Sequence, residues 1–69
     1  MTNTELFLKK LKEKNMLQYE LAEKVGISRQ SMSMKIHNVR EFFPSEIDKI
    51  CKILDISDIA MRDAIFFAA

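Results

Sequence analysis

Residues 18–33 run Gln18-Tyr19-Glu20-Leu21-Ala22-Glu23-Lys24-Val25-Gly26-Ile27-Ser28-Arg29-Gln30-Ser31-Met32-Ser33, and the only glycine of the 69-residue chain divides them. On its N-terminal side, apolar residues recur at Leu17, Leu21, Ala22 and Val25, the i, i+4, i+5, i+8 rhythm of a short buried helix face. Gly26 supplies the left-handed backbone that a helix end needs before a sharp turn. Ile27 then plugs the turn, and Ser28 caps a helix predicted from Arg29 to about His37, with Met32 and Ile36 as its inward pair at i, i+4. Ala22 is small enough for the two helices to cross closely.

The rest of the chain keeps the same periodicity, and no stretch alternates long enough for a strand. Thr2-x-x-Glu5 has the form of a capping box that opens a first helix, in which Leu6, Phe7, Leu8 and Leu11 crowd to one side until Asn15 stops it. Asn38 is a stop for the third helix. The connection Val39-Arg40-Glu41-Phe42-Phe43 carries apolar anchors, and Pro44 suits the first turn of a fourth helix whose inner stripe is Ile47, Ile50, Cys51 and Leu54. Asp55-Ile56-Ser57 is a break, after which Ser57, with Asp58 beside it, caps a fifth helix from Ile59 to Phe67. The expected fold is all-α, a compact bundle of about five short helices in one domain over residues 1–69.

Composition narrows the function. With 48% hydrophobic and 30% charged residues, one Gly and one Pro, the chain is too apolar and too poor in breakers to be a disordered tail. A lone cysteine can form neither an internal disulfide nor a zinc site, so Cys51 reads as a small core residue of a reduced, cytoplasmic protein. No apolar run approaches the roughly 20 residues of a membrane helix, and Met1-Thr2-Asn3-Thr4-Glu5 lacks a basic signal-peptide start. One histidine, one cysteine and no glycine-rich phosphate loop supply no convergent catalytic set, so neither an enzyme nor a cofactor or metal site is expected. Glu46 and Asp48 read as solvated or helix-starting acids.

Net charge is only +1, but its distribution is uneven. Residues 27–40 hold Arg29, Lys35 and Arg40 without an acid, whereas residues 41–69 are acidic on balance. On a helical wheel with Met32 at zero, Gln30, Ser33, His37 and Met34 fall near about 160°, 100°, 140° and 200°, a shared outward side.

Residues 18–33, with Ala22, Gly26 and the apolar set Leu21, Val25, Ile27 and Met32, resemble the helix-turn-helix of the Cro/repressor class, also called the XRE family. Glu41-Phe42, Ser45-Glu46-Ile47, Ile53-Leu54 and Ile65-Phe66-Phe67 look further like small phage-borne Cro-like regulators of Gram-positive hosts, extending the resemblance over nearly the whole chain. It implies a lambda-repressor-like domain with its motif at about 18–37, a recognition helix at about 29–37 in the major groove, and a Cro-like repressor binding a duplex operator as a homodimer. Carried over residue by residue, Arg29, Gln30, Ser33 and Met34 would meet base edges. Gln18 would meet a phosphate at the start of the second helix, and Ser28, Lys35, Asn38 and Arg40 would clamp the backbone around the third. The bland alternatives are a solvated helix start for Arg29 and Gln30 and a packing contact for Met34. Lys35 departs from the family pattern, in which many relatives have an apolar residue there; Ile36 is expected to take the inward role, with the third helix rotated. A second functional class stays open, a repressor-binding modulator or antirepressor gripping a protein through Ile65, Phe66 and Phe67, against the plainer reading that Ile65 and Phe66 close the core.

Overall fold

One left-handed residue punctuates each connection between helices: Asn15 at φ 51°, Gly26 at 91°, Asn38 at 65° and Asp55 at 56°. Gly, Asn and Asp are the residue types that tolerate this backbone region, so each helix stop is written in local chemistry. The computed structural model describes residues 1–69 as α1 (Thr4–Glu13), α2 (Gln18–Val25), α3 (Arg29–Ile36), α4 (Pro44–Ile53) and α5 (Ile59–Phe66), with no strand. The all-α expectation holds, and the expected helix ends shift by a residue at His37 and Phe67, which are C-caps.

Helix starts are satisfied in two ways. Side chains of Asn3, Ser28 and Asp58 accept from Leu6, Ser31 and Ala60 backbone N–H groups and cap α1, α3 and α5. At α2 and α4 the caps are apolar, and a carboxylate three residues on reaches back: Glu20 accepts from Leu17 N at 3.0 Å, Glu46 from Phe43 N at 2.8 Å. Two expectations are corrected here. Asn3 rather than Thr2 caps α1, because Thr2 is buried and its backbone pairs with Asn38; Asp58 rather than Ser57 caps α5.

All five helices feed one core, from Phe7 and Leu11 of α1 to Ile65 and Phe66 of α5. Phe7, Phe42 and Phe66 form its aromatic end. Phe7 stacks on Phe42 at 5.7 Å between centroids, and Phe66 meets both edge-on at 5.7 and 5.5 Å, the offset and T-shaped arrangements that ring quadrupoles favour. Phe42 therefore pins the α3–α4 connection, as its apolar composition suggested. Leu17 does not join the core; as the α2 cap it remains 56% exposed. Ile65 and Phe66, considered as protein-interaction residues, are 0% and 4% exposed, because the α5 face that carries them closes the bundle; only Phe67, at 58%, stays outside.

The chain ends are laced together and onto α3. Asn3 N donates to Ile65 O at 2.7 Å and Ala68 N to Met1 O at 2.9 Å. Thr4 Oγ1 donates to Ile36 O at 2.7 Å, so the first residues clamp the last turn of α3 to α5.

Candidate nucleic-acid interface

The α2–α3 turn is closed by Gly26 N and Ile27 N, which both donate to Ala22 O, at 2.9 and 3.0 Å. Ala22 is buried at the crossing, and half-buried Ile27 packs against the core. A Cβ on Gly26 would meet nothing within 4 Å, so the glycine is required by its backbone angle and not by crowding.

This turn sets which side of α3 is free. Met32 and Ile36 are fully buried. Arg29, Gln30 and His37 are exposed, and Ser33 and Met34 lie half-buried between them and the core. Ser28 Oγ accepts from Ser31 N at 3.0 Å, which leaves its hydroxyl hydrogen available to an acceptor outside. No acid occupies the first turn of α3, so its positive end is not neutralised from within, in contrast to α2 with Glu20 and α4 with Glu46. Gln18, half-buried, opens α2, where the first N–H groups have no partner inside the helix.

Of the residues expected at the phosphate backbone, Lys35 is turned inward and Asn38, although exposed, is tied to the N-terminus. Lys35 is 4% exposed, and its Nζ donates to both carboxylate oxygens of buried Glu46 at 2.7 Å, with the Phe43 ring 4.3 Å away on another side. The position keeps the buried role the family pattern gives it. A charge can occupy it because Glu46, one helix on, neutralises it, and α3 needs no rotation because residues 35 and 36 both face inward. Asn38 accepts from Thr2 N at 2.7 Å and donates from Nδ2 to Thr2 O at 2.9 Å, so its amide holds the N-terminal segment. Arg29 and Arg40 remain as the exposed cations of residues 27–40.

One contributor was not anticipated. The Tyr19 ring, on α2, lies under the Arg29 guanidinium, 4.6 Å from carbon to centroid. The two residues are ten apart and on different helices, so only the turn geometry brings them together; an aromatic opening α2 and an arginine opening α3 was the available signal.

Other reactive side chains are quiet. Burial pushes the Cys51 thiol up from its ordinary value, with Arg62 opposing and Asp48 adding, which keeps it protonated at neutral pH. No helix is long and apolar enough to cross a membrane.

Comparison with curated proteins and with solved structures gave no match. Comparison with protein families matches residues 7–60, from the first core aromatic of α1 into α5, to the Cro/C1-type HTH DNA-binding domain. With the α2–turn–α3 geometry in place and most of its length matched, the chain belongs to the Cro/C1-type HTH DNA-binding domain family.

Proposed function

We propose that the chain is a transcriptional regulator of the Cro-like, phage-repressor kind, acting as one unit over residues 1–69 in the cytoplasm and inserting α3 into the major groove of a duplex operator. The observation that carries this reading is the acid-free polar flank of α3, with Arg29 and Gln30 exposed and Ser33 beside them, backed by fully buried Met32 and Ile36. Arg29 suits the acceptor edge of guanine, Gln30 suits adenine, and the Met34 tip suits a thymine methyl. Gln18, Ser28 and Arg40 supply donors for phosphates. A single α3 reads only a few base pairs, so a homodimer spanning two half-sites about one helical turn apart provides the remaining affinity. The antirepressor alternative keeps only Phe67 of the tail surface it relied on, because Ile65 and Phe66 are interior.

The test is binding to a duplex selected by the protein from a randomised pool. Arg29→Ala and Gln30→Ala should each weaken it by about 1–3 kcal/mol with helix content and melting temperature unchanged, and affinity should fall as salt rises. Failure to select any sequence, or selection insensitive to both substitutions, would remove the reading. Co-purification with a repressor and no DNA shift would transfer the function to protein contact.

A further inference from the structure

Tyr19 and Arg29 open successive helices, at the second position of α2 and the first of α3. Arg29 is exposed, makes no ion pair, and has no acid in its own helical turn. What restrains this long side chain is the Tyr19 ring, itself 40% exposed, against which the guanidinium lies at 4.6 Å. A guanidinium stacked on a ring uses one face, and its N–H donors, which lie in its plane, stay free to form a bidentate pair with two acceptors. A side chain already stacked in the free protein also has less rotamer freedom to lose on binding. Because the ring is anchored on α2, the direction of Arg29 is fixed relative to both helices of the motif and not by its own backbone alone.

We propose that Tyr19 is a specificity-determining positioning residue: its ring holds Arg29 in the one orientation that pairs with the O6/N7 edge of a guanine. This rests on the base-reading role proposed above for Arg29. It adds a residue that touches the arginine and not the base, and it makes the platform a property of the aromatic ring, independent of the phenol hydroxyl.

The experiment uses the full chain and a duplex selected by the wild-type protein from a randomised pool. Arg29→Ala first identifies the base pair whose preference depends on Arg29. Duplexes carrying each of the four bases there, and an unrelated duplex of equal length, are then titrated against wild type, Tyr19→Phe and Tyr19→Leu. Tyr19→Phe should keep discrimination within about twofold, whereas Tyr19→Leu should lose about three- to tenfold of it, with binding to the unrelated duplex and the melting temperature unmoved. In the free protein, the Arg29 side-chain proton resonances should lose their ring-current shift in Tyr19→Leu and retain it in Tyr19→Phe. Full discrimination by Tyr19→Leu would overturn the proposal. So would equal losses in Tyr19→Phe and Tyr19→Leu, which would identify a hydroxyl contact, or a uniform loss on every duplex, which would identify a phosphate contact or a packing role. An Arg29→Ala variant with unchanged base preference would remove the underlying reading of Arg29 together with this inference.

Discussion

The two connections that flank α3 are built on opposite principles. The α2–α3 turn is local: Gly26 at φ 91°, two backbone bonds to Ala22 O and the Ser28 cap lie within ten residues of chain. The α3–α4 connection is held from a distance, by Asn38 on Thr2, 36 residues away, by Thr4 on Ile36, by Phe42 between Phe7 and Phe66, and by Lys35 on Glu46. The front end of α3 is thus specified by the motif itself, while its back end depends on the rest of the domain. The reading role proposed for α3 needs both, since an angular error at its exit moves every side chain along its length.

The heaviest blow to this contrast falls on Lys35. Lys35→Met strands the Glu46 carboxylate in the interior, where losing one partner of a buried pair costs about 3–5 kcal/mol. At about 0.05–0.15 kcal/mol per residue, that is a large share of what a chain of this size has, so the variant should be substantially unfolded by circular dichroism. Lys35→Met/Glu46→Gln should recover most of the loss in urea titrations. The neutral amide no longer needs a counter-charge and still accepts from Phe43 N, the bond that closes the start of α4. A fully stable Lys35→Met would show that the back end does not depend on charge pairing.

Asn38 comes next. Asn38→Ala should cost about 2–3 kcal/mol, since it leaves the N–H and C=O of buried Thr2 without partners and puts at φ 65° a residue lacking the short polar side chain that lets asparagine tolerate that angle. Asn38→Gly, which accepts the angle but not the bonds, should cost less, about 1–2 kcal/mol, and urea titration of the pair apportions the two effects. The same division explains what could be read from the sequence. Gly26, Ser28, Asn15 and the inward pair Met32 and Ile36 were legible because each acts through neighbours within a helical turn. The stop at Asn38 was legible too, but its partner Thr2, 36 residues away, was not. Lys35 failed for the same reason. A lysine reads as solvent-facing unless the acid that buries it is known, and Glu46 lies eleven residues on across a connection whose path the sequence does not state. Thr2 and Ser57 were displaced as caps by better-placed neighbours, a one-residue choice that composition alone does not decide.

Gly26→Ala probes the front end and should cost only about 1–2 kcal/mol, the penalty of a left-handed alanine, because the added methyl meets nothing. Urea titration checks the size, and binding to the selected duplex should be weakened no more than the loss of folded protein accounts for. A cost much above 3 kcal/mol would mean that the turn is held by packing after all, and the contrast between the two connections would shrink.

The smallest expected effect tests whether distance or burial makes the back end vulnerable. Lys14 and Asp55 pair at 2.9 Å across 41 residues, a long-range tie like Lys35–Glu46, but the Asp55 side chain is 75% exposed. The Lys14 hydrogen bond, then its charge, holds the Asp55 carboxyl below its ordinary value, against a small opposing effect of burial and with Lys10 adding. A carboxyl whose folded pKa lies below its unfolded one stabilises the fold above the ordinary aspartate pKa of about 3.9, and that contribution fades as pH falls through the lower folded value. Asp55→Asn keeps a residue that tolerates φ 56° while removing the charge, so neutral-pH stability should hardly change and the acid limb below about pH 4 should flatten. High salt should erase even that difference, while leaving the loss in Lys35→Met intact, since screening reaches an exposed pair and not a buried one. If Asp55→Asn proved as damaging as Lys35→Met, sequence separation would be the controlling variable; the geometry assigns that role to burial.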